Sequence, residues 1–408
     1  MRSTTRTTLG AALVAALTVL TLPAASAGPL APHTEKVSTA PGGAQADNSS
    51  SDPVLSGDGK VVAFASDATN LVAGDTPHTL DVFLRPAPGA PLQRVTVAGA
   101  STSGASLSRD GRVLAFVSSS NDTNEYGVHL RDVRTGRTER LAPALGDAYA
   151  VSYGKPALSA NGRFAAFTAR PTDATPAAAD DGPRVYLYDR TTGKAERISH
   201  SPDDADGARG CFVGSVSDDG TKVVYQDSYL NGPRGDDWGD IFVYDRTSKK
   251  TVQADATYNG AEADKASTTP LLSADGRTVA FQSFATNLVP GTDPNRGWNP
   301  FVYDLRTKKL TRVDAPTPTD ISAVQGLSAD GSKLLYSRSG SAEGHYVRDL
   351  RTGKDVLATP GLDGKGKGAG SSVLSADASA VAFSGYDESQ FVAGDTNGEA
   401  DVFLRRLK

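Results

Sequence analysis

The sequence has few of the residues that carry redox or nucleophilic chemistry. Its 408 residues include one cysteine, Cys211, one methionine and five histidines. A lone cysteine excludes an internal disulfide, and its strand-like surroundings indicate a small buried side chain. The histidines stand at unrelated positions and define no metal triad. The motifs of serine hydrolases, zinc peptidases and phosphate-binding loops are missing too, so the sequence offers no catalytic residue.

Long apolar runs are equally scarce. The single candidate, Leu9–Leu22, follows a start that contains Arg2 and Arg6 and precedes the small-residue stretch Ala25–Ala27. That order predicts a secretory signal peptide over residues 1–27, and the run is shorter than the ~20 residues of a membrane-spanning helix. We therefore expect a secreted chain with no membrane span, comprising a short linker over residues 28–33 and one domain over residues 34–408.

The chain carries a small net negative charge. The formal net charge is −5, and it becomes −7 without residues 1–27, because Arg2 and Arg6 are lost and 40 basic residues then stand against 47 acidic ones. A mildly acidic chain with interspersed signs argues against nucleic acid or anionic lipid as a partner.

One ten-residue pattern occurs seven times. In its first copy, Leu55–Phe64, an apolar residue and a serine end one strand, Asp-Gly supplies a tight turn, and a β-branched and aromatic run begins the next strand. The turn residue recurs about every 53 residues, which indicates an array of one supersecondary unit. The seven turn residues are Asp58, Asp110, Asn161, Asp219, Asp275, Asp330 and Asp377.

Each copy is followed by two further strands. The third strand is exemplified by Val82–Arg85, and a second tight turn then leads to a short fourth strand such as Arg94–Val97. Four antiparallel strands in each of seven units predict an all-β fold, a single β-propeller with seven four-stranded blades.

The two ends of the chain predict how the ring closes. The seventh unit ends just after its third strand, Val402–Arg405, whereas Thr34–Thr39 precedes the first unit and is similar to fourth strands such as Glu196–Ser199. We predict that Lys36–Thr39 pairs with Val402–Arg405. The N-terminal strand then completes the last blade, and the ring exposes no long edge.

The repeated Leu-Ser-x-Asp-Gly-x-x-Val-Ala-Phe pattern, with Tyr-Asp-Arg-x-Thr-Gly-Lys later in the unit, resembles the repeats of TolB-like and WD-repeat-like propellers. The resemblance covers residues 34–408. It implies the propeller fold but no single function, since such propellers occur in envelope proteins, peptidases, lyases and other secreted proteins. TolB itself is implied to have six blades and a separate domain, whereas this sequence has seven units and no such domain.

Aromatic residues recur at two points of every unit and predict packing between blades. His129 belongs to the second of these columns, so a packed ring is the favoured interpretation of this histidine. The columns are Phe64, Phe116, Phe167, Tyr225, Phe281, Tyr336 and Phe383, and Phe83, His129, Tyr186, Phe242, Phe301, Tyr346 and Phe403.

The two remaining connections of each unit are long. They run from the second strand to the third and from the fourth strand to the next unit. Because strand direction alternates, both lie on one face of the disc, named here the long-loop rim, and the short turns lie on the opposite tight-turn rim. Long loops on a rigid scaffold are where binding sites are built.

A ligand site is predicted on the long-loop rim between the fourth and fifth units. The only two tryptophans, Trp238 and Trp298, occupy equivalent loops there, and aromatic faces beside carboxylates suit a carbohydrate or a cationic peptide. The alternative is that each tryptophan packs against its own loop and the acids are solvated. The acids of this predicted site are Asp203, Asp204, Asp206, Asp236, Asp237 and Asp240.

A second candidate site is the loop Gly394–Asp401, which is echoed before Asp81 and Asn299. Oxygen ligands at Asp395, Asn397 and Asp401 match part of a calcium loop, although the acid at the fifth position and the terminal Glu of an EF-hand are missing. The alternative is an Asx-turn that leads into the third strand, with no cofactor.

Two classes of function therefore stay open. The favoured one is a secreted, non-catalytic binding or scaffold protein, monomeric, that presents its long-loop rim to a protein, peptide or carbohydrate. The other is a propeller-type lyase or hydrolase acting on polysaccharide, whose acids and bases would come from several blades.

Overall fold

The computed structural model describes residues 31–75, 79–120, 126–141, 149–151, 154–171, 183–199, 209–229, 239–261, 263–293, 297–313, 322–340, 342–386 and 391–407. These residues form seven antiparallel sheets arranged as the blades of a ring. The predicted all-β propeller of seven four-stranded blades is confirmed. The only helix in these ranges is the single 3-10 turn Pro41–Gly43, and no helix there is long and apolar enough to cross a membrane.

Each blade is a meander of an inner, a second, a third and an outer strand. Blade one contains β2 (Ser50–Leu55), β3 (Val62–Ser66), β4 (Asp81–Arg85) and β5 (Gln93–Val95), and blade two contains β6 (Ser101–Leu107), β7 (Val113–Ser119), β8 (Tyr126–Asp132) and β9 (Thr138–Arg140). Blade three contains β10 (Tyr149–Val151), β11 (Ala157–Leu158), β12 (Phe164–Pro171), β13 (Arg184–Asp189) and β14 (Lys194–Arg197). Its inner strand is interrupted, so that β10 and β11 both pair with β12.

The remaining blades repeat this order. Blade four contains β15 (Arg209–Val216), β16 (Lys222–Tyr229), β17 (Gly239–Asp245) and β18 (Lys250–Gln253), and blade five contains β19 (Ser267–Leu272), β20 (Thr278–Ser283), β21 (Asn299–Asp304) and β22 (Lys309–Arg312). Blade six contains β23 (Ser322–Leu327), β24 (Lys333–Arg338), β25 (Gly344–Asp349) and β26 (Asp355–Leu357). Blade seven contains β27 (Ser372–Leu374), β28 (Ala380–Gly385), β29 (Asp401–Arg406) and, as its outer strand, β1 (His33–Lys36).

The repeated sequence pattern forms the first turn of each blade. In blade one, Ser56 Oγ donates to Asp58 Oδ1 at 2.7 Å and accepts from the Val61 N–H at 2.9 Å. Side-chain hydrogen bonds to the local backbone are what favour Asp and Ser in turns. The glycine that follows has a positive φ in blades one to six, and blade seven places Ala378 there with φ 54°. At Gly220 space is limiting as well, because a β-carbon would lie 2.0 Å from the Phe164 ring.

The first turns meet around the central axis. Backbone N–H groups of neighbouring turns donate to one another in an unbroken ring of seven hydrogen bonds, and the guanidinium of Arg109 pairs with Asp218 at 3.0 Å across the turn of blade three. The seven bonds are Gly57 to Arg109, Asp110 to Ala160, Ala160 to Asp218, Asp218 to Ala274, Ala274 to Ala329, Ala329 to Ala376, and Ala376 to Gly57. These bonds tie each blade to the next at the tight-turn end of the ring.

The predicted closure by the N-terminal strand is confirmed, with a different register. β1 pairs antiparallel with β29, from His33 opposite Arg406 to Lys36 opposite Phe403, so the strand starts three residues before the predicted Lys36–Thr39. Of the predicted segment only Lys36 belongs to β1, and the Val37 N–H still donates to Val402 O at 2.8 Å. At Ser38 a side chain replaces the backbone, since Ser38 Oγ accepts from the Val402 N–H at 3.0 Å and donates to Asp401 at 2.6 Å. Because the Ser38 hydroxyl, and not a backbone carbonyl, accepts the Val402 N–H, the strand register of β1 ends at Lys36.

The aromatic columns form the core between blades, as predicted. Each pair is a cross-strand contact of the second and third strands, such as Phe64 and Phe83 with ring centroids 5.9 Å apart. These two rings also pack against Ala382 and Leu404 of blade seven. His129 is stacked on Phe116 at 5.2 Å, as the favoured interpretation of this histidine required.

Candidate functional site

The two rims expose different side chains. Among the described residues seven large hydrophobic side chains are exposed, and five of them lie on the long-loop rim. The other two, Val252 and Val356, lie on the outer strands β18 and β26, so the tight-turn rim contributes none of the seven. The five long-loop residues are Leu80, Tyr126, Tyr258, Leu362 and Tyr386.

Tyr258 lies in the predicted sector between blades four and five. A local turn presents it: the Gly260 N–H donates to Thr257 O at 3.2 Å, the Ala261 N–H donates to Asn259 Oδ1 at 3.1 Å, and the tyrosine is 61% exposed. Its own N–H donates to Leu288 O at 3.2 Å. Leu288 belongs to the blade-five connection that leads to Trp298, so the exposed tyrosine is tied to the loop of the predicted site.

Trp298 is half-buried. Its ring lies 4.1 Å from that of Phe284, centroid to centroid, and its carbonyl accepts from the Ser322 N–H at 3.2 Å. Asp240 is half-buried in β17 directly opposite the buried Asp227 of β16. Six residues of the predicted site lie outside the described residues, namely Trp238, Asp203, Asp204, Asp206, Asp236 and Asp237.

The three residues of the predicted calcium loop do come together, around a side-chain ammonium. Lys36 Nζ lies 2.6 Å from Asp395 Oδ1 and 2.5 Å from Asp401 Oδ2, and Asn397 Nδ2 donates to Asp401 Oδ2 at 3.1 Å. All three charged side chains are at least nine-tenths buried. A calcium ion at these oxygens, which stays a prediction, would have to replace the Lys36 ammonium.

The same arrangement occurs in two other blades. Arg94 of β5 pairs with Asp75 at 3.0 Å and with Asp81 at 2.6 Å, and Arg312 of β22 pairs with Asp293, which also accepts from Asn299. In each case a cation from the outer strand joins a loop carboxylate to the start of the third strand. Among the described residues, no group of three His, Cys, Asp or Glu could hold a metal ion.

Two buried histidines and the buried cysteine are held in their neutral forms. His129 Nε2 contacts Ser118 Oγ at 2.8 Å, and His345 Nδ1 contacts Ser372 Oγ at 2.8 Å. Burial lowers the pKa of each histidine to about 4. Burial, reinforced by the charge of Asp227, raises the pKa of the Cys211 thiol to about 12. Near neutral pH these groups are packed, uncharged side chains.

One carboxylate is buried in place of a hydroxyl. At the end of the outer strand, Ser38, Ser199 and Thr359 each accept a hydrogen bond from the start of the third strand. In blade four Asp255 Oδ1 accepts the Ile241 N–H at 3.1 Å, while Oδ2 is buried with no hydrogen-bond partner among the described residues. Burial raises the pKa of the Asp255 carboxyl to about 6, because the ionised form loses its hydration in the protein interior and is therefore disfavoured.

We expect Asp255→Ser to stabilise the protein at pH 7.5. A carboxyl whose pKa is higher in the folded than in the unfolded state destabilises the fold once the pH exceeds the unfolded value of 3.8, by about 2–3 kcal/mol above both pKa values. The gain measured by urea unfolding should therefore shrink as the pH falls from 7 towards 4. The exposed Asp363, changed to Ser, is the control and should give no gain. A gain independent of pH would contradict this assignment.

Sequence reasoning missed the exposed tyrosines. Tyr126, Tyr258 and Tyr386 stand outside both aromatic columns, but so do the buried Tyr244 and Tyr303, so that position alone does not identify an exposed tyrosine. The ion pair of the predicted calcium loop gave no signal in the sequence, since Lys36 stands 359 residues from Asp395.

Known proteins resemble this chain in structure but not detectably in sequence. No protein-family model matches the sequence, and no curated protein does either. An oligogalacturonate lyase from Vibrio parahaemolyticus is similar in structure, with a TM-score of 0.58 and 15% identity over 93% of this chain and 98% of that one. The β-propeller domain of the Trilobed protease from Pyrococcus furiosus has a TM-score of 0.56 and 13% identity over 89% of this chain and 96% of that one.

These two similarities confirm that the chain has the fold of β-propeller proteins, and they show the fold alone. TolB from Acinetobacter baumannii also matches, with a TM-score of 0.42 and 15% identity over 74% of this chain and 61% of that one. The Pyrococcus domain is described as having an open velcro topology. In the present chain, by contrast, β1 completes the last blade.

Proposed function

We propose that the protein is a secreted, monomeric, non-catalytic β-propeller that binds a peptide, protein or carbohydrate on its long-loop rim. The observation that carries the proposal is Tyr258, a 61% exposed aromatic side chain on a hydrogen-bonded turn in the sector of Trp298 and Asp240. Exposed aromatic faces stack on sugar rings and attract cations. The tight-turn rim, by contrast, exposes none of the seven large hydrophobic side chains that are exposed among the described residues.

The test compares two equally accessible tyrosines of one rim. Tyr258→Ser should weaken binding to the strongest hit of a peptide and glycan array by about tenfold, since stacking on its face is lost. Tyr386 is 68% exposed in blade seven, so Tyr386→Ser should leave that affinity unchanged. Both variants should unfold like the wild type, because neither side chain is packed. Equal effects of the two substitutions would contradict the proposed sector.

The alternative proposal is a lyase or hydrolase acting on polysaccharide. Release of unsaturated or reducing ends from a polysaccharide panel, with and without divalent cations, distinguishes the two. Sustained turnover by the purified protein would overturn the non-catalytic proposal, whereas binding without turnover would support it.

A further inference from the structure

The weak net charge of the chain hides a strong separation of charge between the rims. The second turns of blades one to six, which join the third to the outer strands, span residues 85–93, 131–138, 188–195, 244–251, 303–310 and 348–355. They contain 15 Lys and Arg against 6 Asp, a net charge of +9. The rest of the chain after residue 27 has 25 Lys and Arg against 41 Asp and Glu, a net charge of −16.

The excess cations lie at the periphery and are accessible. Ten of them are exposed in the second turns of blades two to six. The acids of these turns are held locally, as where Asp304 Oδ1 accepts the Arg306 and Thr307 N–H groups at 2.9 and 2.7 Å. The ten cations are Arg134, Arg137, Lys194, Lys249, Lys250, Arg306, Lys308, Lys309, Arg351 and Lys354.

Two of the lysines occupy backbone positions that favour glycine. Lys249 has φ 55° and Lys308 has φ 58°. The equivalent residues of blades two, three and six are glycines with φ between 67° and 73°, namely Gly136, Gly193 and Gly353. A left-handed conformation is strained for a lysine and free for a glycine. Each strained lysine is followed by a second exposed lysine, which gives the pairs Lys249–Lys250 and Lys308–Lys309. The second turns of blades four and five therefore contain a strained backbone residue and expose two adjacent lysines each.

The shape of this charge favours a linear partner over a planar one. The first turns, nearer the axis on the same rim, expose Asp58, Asp110, Asp219, Asp275, Asp330 and Asp377. Basic residues stand beside these acids, so that residues 56–61, 108–113, 159–164, 217–222, 273–278, 328–333 and 375–380 contain seven Lys and Arg against seven Asp and carry no net charge. A flat anionic surface laid across the rim would therefore face a neutral centre and meet the excess cations only at the periphery. A flexible chain that follows the outer arc stays where cations outnumber acids, and it would compete with Glu196, which pairs with Lys249 at 2.6 Å.

We propose that the second turns of blades two to six form a docking track for a linear anionic polysaccharide, centred on the lysine pairs of blades four and five. Lysine ammonium groups attract carboxylate, sulfate or phosphate substituents as point charges and without a fixed geometry, as a repeating polymer requires. This rim exposes none of the large hydrophobic side chains, and single-stranded nucleic acids stack on exposed aromatic residues. The track is separate from the proposed ligand site on the long-loop rim.

The test uses alginate as a linear polyanion and dextran as a neutral polymer. The wild type should bind alginate and not dextran, and binding should weaken as salt rises from about 50 to about 200 mM, since the contacts are screened. The double variant Lys249→Gly, Lys308→Gly should lose about tenfold in affinity. Its melting temperature should be unchanged or higher, because the backbone strain is removed. The charge-preserving pair Lys249→Arg, Lys308→Arg should bind as the wild type does.

The matched control removes the same charge from the other rim. Lys365→Gln with Lys367→Gln, in the connection between blades six and seven, should leave alginate binding unchanged. Equal weakening by both double variants would show that only net charge matters and would overturn the track. Tighter binding to short duplex DNA than to alginate would overturn the polysaccharide in favour of nucleic acid. Tyr258→Ser should not affect alginate binding, which keeps this test independent of the proposed function.

Discussion

Deleting residues 28–37 should abolish cooperative unfolding. The deletion removes β1, whose four residues pair with β29, and it takes away Lys36 and the Val37 N–H that donates to Val402 O at 2.8 Å. The third strand of blade seven would become an open edge, and such edges template association. We expect a broad thermal transition and concentration-dependent aggregation, measured by calorimetry and light scattering.

The control for this deletion removes residues 28–32, which precede β1. That shorter variant should melt as the chain from residue 28 to residue 408 does. If the longer deletion also melted in one sharp transition within a degree or two of the control, the seven backbone hydrogen bonds around the axis would be sufficient to hold the ring, and β1 would not be its closure.

Lys36→Met should be among the most destabilising single substitutions. Methionine keeps the aliphatic stem, but it leaves Asp395 and Asp401 as neighbouring carboxylates with side chains 4% and 0% exposed. Breaking a buried ion pair by removing one partner costs about 3–5 kcal/mol, because the remaining charge stays buried after its counter-ion is removed. Urea unfolding at pH 7 measures this loss.

Two further variants identify the cause. Neutralising the partners as well, in Lys36→Met, Asp395→Asn, Asp401→Asn, should recover most of the stability. Lys60→Ala breaks the pair with Asp58, in which both side chains are more than half exposed, and should cost less than about 1 kcal/mol. A loss for Lys36→Met no larger than that for Lys60→Ala would contradict a structural role for this ion pair.

The fold could be predicted from the sequence because the same local signals recur in every blade. The turn at Ser56–Gly59 is specified by residues that are neighbours in the sequence. Seven copies of this turn, each followed by the same order of strands, are compatible with one architecture, the seven-bladed propeller. The register of β1 was predicted wrongly because it depends on Ser38, whose hydroxyl contacts a strand more than 360 residues away in the chain. A pattern of hydrophobic residues does not contain that contact.

The candidate sites were harder to predict for the same reason. The acids Asp395 and Asp401 are visible as a loop motif, but Lys36 stands at the other end of the chain, so a cation-binding loop and an ion pair look alike in the sequence. The average charge was a poor guide, since the basic residues are periodic and the ring gathers them on one rim. Tyr258 is indistinguishable from a packed tyrosine until its turn is seen.

Hydrogen–deuterium exchange on the wild type tests the division between the two rims most directly. With the strongest hit of the peptide and glycan array present, we predict slower exchange in residues 254–261 and 284–293, the connections that contain Tyr258 and lead to Trp298. The second turns of blades two to six should be unchanged under the same conditions. Protection confined to those second turns, with none on the long-loop rim, would contradict the account.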